Sequence, residues 1–288
     1  MSIDFDASYT GLLLDDWIGH LQEVLKDEQS IDKNGMALKF QMIQQSMVEA
    51  AFKIGELMEV SSQAKYMAII LYDDYMHKHF RQRFETEITT NNQLDQQFDK
   101  ISNSMASKAK LSLMSCFQLA CKMESAYAKL PISEVIDILN TFDKNTTYTR
   151  EMIIASEFEV FEAVGFKIPL KTPLSCVELL LAAVNCNTPE DYELGQILLD
   201  IAFLQYEKLY TQFRVATTAY TQHAGFKEST NTKSNILFLS AAVVACTSLM
   251  RHEQKAISIA MTLAEKTSTE VTDIMIMSSQ LFDLATTK

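Results

Sequence analysis

Between residues 36 and 58, Met36, Phe40, Ile43, Met47, Ala51, Ile54 and Met58 recur at alternating spacings of three and four. That spacing predicts an amphipathic helix with one core-facing stripe. A second helix is expected after the capping serines Ser61 and Ser62, with Ala64, Met67, Ala68, Leu71 and Tyr75 on one face. From His77 to Ser104 the chain turns polar, rich in Gln, Asn, Asp and Thr, and reads as a long loop or loosely packed insertion. Residues 106–125 are apolar on nearly every face, through Leu111, Leu113, Phe117, Leu119 and Met123, which predicts a hub helix enclosed by others. Shorter helices are expected after Pro131 and after Thr149, the latter ended by Gly165.

Phe166 to Lys171 alternates apolar and polar, and Pro169 and Pro173 forbid continuous helix, so an extended connector and a domain boundary fall here. Beyond it, Thr172-Pro173 and Thr188-Pro189 each set a capping hydroxyl before a proline at the first helical position. Helical patterns over 234–250, 253–264 and 270–284 again bring the count to five. The two halves also rhyme: Ser115, Ala120 and Cys121 have counterparts in Ser240, Ala245 and Cys246, each 240 − 115 = 125 positions further on. The expected fold is all-α, with tandem five-helix domains at 36–168 (polar insertion about 77–104) and 172–285. Residues 1–35 are left as an N-terminal helical extension.

Composition narrows the function. Only 7 Gly and 4 Pro in 288 residues argue against β-sandwiches and against a glycine-rich nucleotide fold. A net charge of −12 argues against broad electrostatic binding to nucleic acid. The acidic start, Met1-Ser2-Ile3-Asp4, lacks the basic character of an export signal, so the chain is expected to stay inside the cell. The apolar stretch from Ile236 to Met250 falls short of the roughly 20 residues of a membrane span. Cys116, Cys121, Cys176, Cys186 and Cys246 all lie in apolar runs and read as reduced core residues.

No GxGxxG, GxxxxGK[ST], HExxH, GxSxG or CxxC pattern occurs. His77 and His79 point to different helical faces without a partner at metal spacing, and Asp15-Asp16 and Asp73-Asp74 are expected to be solvated charge rather than acid and base. No catalytic residue, cofactor or metal is therefore expected, and the chain reads as a non-enzyme.

A family resemblance enters at the hub. Ala120-Cys121-Lys122-Met123-Glu124, at the end of Leu113 to Glu124, resembles the Ala-Ser-Lys-aromatic-Glu that closes the third helix of the cyclin box. Tyr66 to Met76, with Asp73, is similar to the box's second helix, and Tyr148-Thr149, Glu157, Val164-Gly165-Phe166 and Thr172-Pro173 are similar to its fifth helix and exit. Within the family, Leu113 to Lys122, Ser156-Glu157, Thr172-Pro173-Leu174 and Leu198-Leu199-Asp200 resemble the cyclin-domain proteins of meiotic crossover designation.

The resemblance implies a partner, a cyclin-dependent kinase, bound through Lys122 and Glu157 and through an apolar pocket of Leu119, Met123, Phe161, Phe166 and Ile168. Such a cluster of apolar anchors around oriented charges is the anatomy of an interface hot spot. It further implies a nuclear, chromosome-associated protein acting with meiotic recombination proteins. The arginine and tryptophan of the family's first-helix docking pattern are missing from Ile43 to Ala50. Two other readings therefore stay open: a kinase-independent scaffold for recombination or ubiquitin-ligase proteins, and a transcription-type cyclin.

Overall fold

The computed structural model describes residues 13–23, 44–88, 94–124, 130–169, 171–224 and 235–287. Among these the chain is all-helical, with twelve α-helices and no strand. Helix α1 covers 13–23. It is followed by α2 (Gln45–Leu57), α3 (Ser62–Ile88), α4 (Leu94–Glu124), α5 (Ile132–Phe142) and α6 (Arg150–Ala163). Then come α7 (Pro173–Ala183), α8 (Pro189–Leu204), α9 (Tyr206–Ala224), α10 (Ile236–Arg251), α11 (Ala256–Thr267) and α12 (Val271–Thr286). The chain forms two compact units, one of Lys39–Thr172 and one of Met1–Leu38 with Pro173–Lys288.

In the first unit α4 packs against α3, α5 and α6. Leu113, Met114, Cys116, Phe117 and Ala120 are buried around its circumference, as a helix apolar on every face requires. The polar stretch read as a loop is instead helical on both sides of residues 89–93, because α3 runs on to Ile88 and α4 already starts at Leu94. It contains no Gly or Pro, its Gln, Glu, Lys and Arg are good helix formers, and Phe80, Phe84, Ile88 and then Leu94, Phe98, Ile101, Met105 do recur at helical spacing. Asp73, expected in solvent, is buried and holds internal partners. The part of the first helical stripe at residues 36–43 lies outside the described residues.

In the second unit α10 is the hub, packed by α7, α8, α11 and α12 and buried from Ile236 to Ser248. Beyond the five helices expected here, the unit has α9, whose Leu209, Tyr210 and Phe213 are buried and whose Phe213 ring lies 5.5 Å from that of Phe238. It also includes α1, which buries Ile18 and Leu21. The α1 side chain Gln22 donates to the carbonyl of Lys266, and Asp15 pairs with the Lys266 ammonium at 2.5 Å. Residues 1–12 and 24–35 of the expected extension lie outside the described residues.

The sequence rhyme has a structural counterpart. The Ser115 hydroxyl lies 3.1 Å from the Leu111 carbonyl and 2.8 Å from the Ser156 hydroxyl on α6. The Ser240 hydroxyl lies 2.8 Å from the Ile236 carbonyl, 125 positions beyond Leu111, and 3.1 Å from the Pro173 carbonyl. Each hub helix thus uses a buried serine, satisfied one turn back, to let a neighbour approach closely.

Asp191 ties α8 to α10. Thr188 caps α8, its hydroxyl accepting from the Asp191 amide and donating to Asp191 Oδ2 at 2.8 Å. The other carboxylate oxygen lies 2.6 Å from Arg251 Nε and 3.1 Å from His252 Nε2. Burial pushes the Asp191 carboxyl up, but hydrogen bonds from Thr188, Arg251 and His252 outweigh it and hold the group below its ordinary value.

Phe117→Ala, which empties a fully buried ring site, should cost about 3–5 kcal/mol in urea denaturation, whereas Leu57→Ala at an exposed site should stay within about 0.5 kcal/mol. Because the folded chain binds the Asp191 proton less readily than the unfolded chain, the carboxylate's contribution is complete above the ordinary carboxylate pKa near ~4 and is lost as pH falls through the lower folded value. Thermal melts between pH 7 and 3 should therefore fall more steeply for wild type than for Asp191→Asn.

Candidate partner-binding site

Helix α6 begins at Thr149, whose hydroxyl accepts from the Met152 amide at 3.3 Å. Its buried positions, Ile153, Ser156 and Val160, follow a helical repeat, and Val164 just beyond continues it. Contact between the Ser115 and Ser156 hydroxyls then fixes how α6 sits on α4. The residues just after Ser156 are turned outward by that register. Glu157 meets Lys122, which stands in the last turn of α4 where a cation also offsets the helix dipole. With the two side chains 47% and 19% exposed, this ion pair contributes under about 1 kcal/mol to stability.

The end of α6 is built by a second device. The Gly165 amide donates to the Glu162 carbonyl at 2.8 Å and the Phe166 amide to the Phe161 carbonyl at 2.9 Å, the paired bonds of a Schellman cap. Gly165 has φ +70°, which only glycine adopts without cost. Phe166 has φ +59°, rare for so bulky a residue. The turn sets the Phe166 ring edge-on to Phe161, with centroids 5.1 Å apart, and 6.4 Å from Phe158. Phe166 and Phe158 nevertheless stay 56% and 59% exposed. Lys78 from α3 donates to the Val164 carbonyl at 3.4 Å and helps satisfy this helix end.

The residues expected at the interface therefore separate into groups. Lys122 and Glu157 are brought together as an ion pair, and Phe161 and Phe166 as a ring pair. Met123 is exposed, Leu119 is buried in the core, and Ile168 is half-buried in the segment after the cap. Phe158 and Ile154, one helical turn apart and both exposed, extend the apolar surface beyond the residues picked out by the family motif. Their signal was the buried repeat itself, since Phe158, two positions from both Ser156 and Val160, and Ile154, two positions before Ser156, cannot share its face.

On the neighbouring flank Glu159 gathers Lys108 at 3.1 Å, His79 at 3.9 Å and the Tyr75 hydroxyl at 3.5 Å. Burial holds His79 below its ordinary pKa, Arg83 and Lys108 add to that, and Glu159 opposes it. The Tyr75 phenol is pushed up to about 12, chiefly by burial. These groups bind one another and clamp α6 to α3 and α4. Among the described residues no group of His, Cys, Asp and Glu could hold a metal ion. All five cysteines are free and buried, and burial raises the Cys121 and Cys246 thiols to about 11 and 12. No helix of the described residues is long and apolar enough to cross a membrane.

An all-helical chain of this kind is consistent with a cyclin-like fold, and similarity to known proteins supports a cyclin-like protein. The chain is 23% identical over 253 residues to Cyclin N-terminal domain-containing protein 1 of Homo sapiens, a match covering 84% of this chain and 74% of that protein. It is 22% identical over 219 residues to the protein of the same name from Mus musculus, covering 72% of this chain and 65% of that protein. It thus spans about two thirds to three quarters of the length of these curated relatives. No family model and no solved structure matches the chain.

The cap separates stability from surface. Gly165→Ala should lower stability by about 1 kcal/mol in urea denaturation, since the strain of positive φ falls on any added Cβ. Phe166→Asn should leave stability within about 0.5 kcal/mol, because asparagine tolerates left-handed backbone, while removing one of the two exposed rings of the patch.

Proposed function

We propose that this chain is a non-catalytic regulatory protein that binds a cyclin-dependent kinase through the α4–α6 face and acts in the nucleus, on chromosomes, in meiotic crossover designation. The observation that supports the kinase reading is the exposed aromatic ridge of Phe158 and Phe166 beside the Lys122–Glu157 pair. Large apolar side chains left in water next to an oriented charge pair are what an interface needs as anchors. Lys122 and Glu157 would contact the partner's regulatory helix and main chain, Met123, Phe161, Phe166 and Ile168 would pack against it, and Leu119 would hold the floor from below. Binding would shift the kinase toward the state in which its own lysine–glutamate pair and metal site assemble. The meiotic role is carried by the resemblance of the sequence to crossover-designation cyclins.

A second reading, a cyclin-fold scaffold acting without a kinase, is favoured by the missing docking arginine and tryptophan at 43–50 and by the mutual satisfaction of Lys122 and Glu157. Coexpression with a panel of cyclin-dependent kinases, followed by size-exclusion chromatography and phosphotransfer assay, separates the two. The kinase reading predicts a complex that Lys122→Glu and Phe166→Asn each weaken by about 30-fold, equivalent to the ~2 kcal/mol of a hot-spot residue. A folded chain that binds none of the kinases would leave the scaffold.

A further inference from the structure

The chain contains two Thr-Pro steps, Thr172-Pro173 and Thr188-Pro189. Thr172 is fully buried, whereas Thr188 is exposed in the short segment between α7 and α8. The residues that lead up to Thr188 form one wall of a cleft of about 310 Å³, lined among others by Asn185, Cys186, His252, Lys255, Ser258 and Thr262. Every charged or chargeable side chain in that lining other than the Cys186 thiol is basic, in a chain whose net charge is −12. Lys255 is exposed and forms no ion pair among the described residues, although its charge is felt at Cys186, two positions before Thr188. His252 links the cleft to the hydroxyl through two hydrogen bonds, Thr188 Oγ1 to Asp191 Oδ2 and Asp191 Oδ1 to His252 Nε2.

We infer that Thr188 is a phosphorylation site for a proline-directed kinase and that the Lys255–His252 cleft is the seat of the resulting phosphate. The γ-phosphoryl group of ATP passes to Thr188 Oγ1, the hydroxyl proton leaves to the kinase's base, and ADP departs. The modified residue loses the O–H that now donates to Asp191 and carries close to two negative charges at neutral pH. Repulsion from Asp191 and from the neighbouring Glu190 drives the phosphate away from them and toward the cleft, where Lys255, His252 and the Asn185 amide offer donors. Arg251, which holds Asp191 at 2.6 Å and stands 3.9 Å from Glu190, is drawn between carboxylate and phosphate. Modification at one exposed hydroxyl thereby loosens the tie between α8 and α10. The site lies in the second unit and does not depend on what binds α4 and α6.

The full chain is incubated with an active mitogen-activated protein kinase and Mg-ATP, and the products are mapped by peptide mass spectrometry. One phosphate is expected at Thr188, with none at Thr172 and none in Thr188→Ala. In the folded product the ³¹P resonance should titrate about one unit below the same phosphothreonine in urea, whose midpoint is near ~6, and Lys255→Gln should move it back up. Absence of phosphate at Thr188 in the folded chain, or equal midpoints in wild type and Lys255→Gln, would overturn the inference. Because the kinase is supplied separately, failure here is distinct from failure of the α4–α6 face to bind a partner.

Discussion

One buried contact, the 2.8 Å approach of the Ser115 and Ser156 hydroxyls, sets the register of α6 on α4, and the candidate surface depends on that register. A larger residue at either position would hold the helices apart, and a shift of one residue along α6 would rotate its faces by about 100°. Glu157 would then leave Lys122, and Phe158 would turn from water toward the core. Small residues along the hub, with Cys116 and Ala120 beside Ser115, permit the close packing that makes the register unique.

The second unit repeats this logic with different consequences. Ser240 plays the role of Ser115 toward the start of α7, and the far end of α10 is fastened by Asp191, Arg251 and His252. Burying a carboxylate is tolerable because hydroxyl, guanidinium and imidazole all reach it. The same arrangement joins an exposed threonine, through Asp191, to His252 in the wall of a cleft that also carries Lys255. Packing, charge satisfaction and surface chemistry in this unit are therefore consequences of one polar knot.

Much of this was legible in the sequence, and the failures have physical causes. Hub helices announced themselves at 112–121 and 236–248 because a helix buried all round must be largely apolar all round, and the Thr149, Thr188 and Gly165 caps carry their own chemistry. The polar run from 77 to 104 misled because side-chain polarity reports exposure, not backbone conformation, and without Gly or Pro nothing there breaks a helix. Helix α9 was missed because only the bend at Gln205 separates it from α8. At the site, Lys122 and Glu157 could be named from a family motif, but the exposure of Phe158 and Ile154 depended on which face of α6 was buried. The left-handed turn that projects Phe166 was visible only as Gly165.

The account's central claim, that the face formed by the end of α4 and the outer side of α6 is where a partner lands, is tested most directly by hydrogen exchange read by mass spectrometry, on the chain alone and in the presence of a cyclin-dependent kinase. Added protection is expected in peptides covering 119–124 and 157–168, with α11 unchanged. Protection confined to the second unit, or no change at 157–168 in a complex that demonstrably forms, would contradict it.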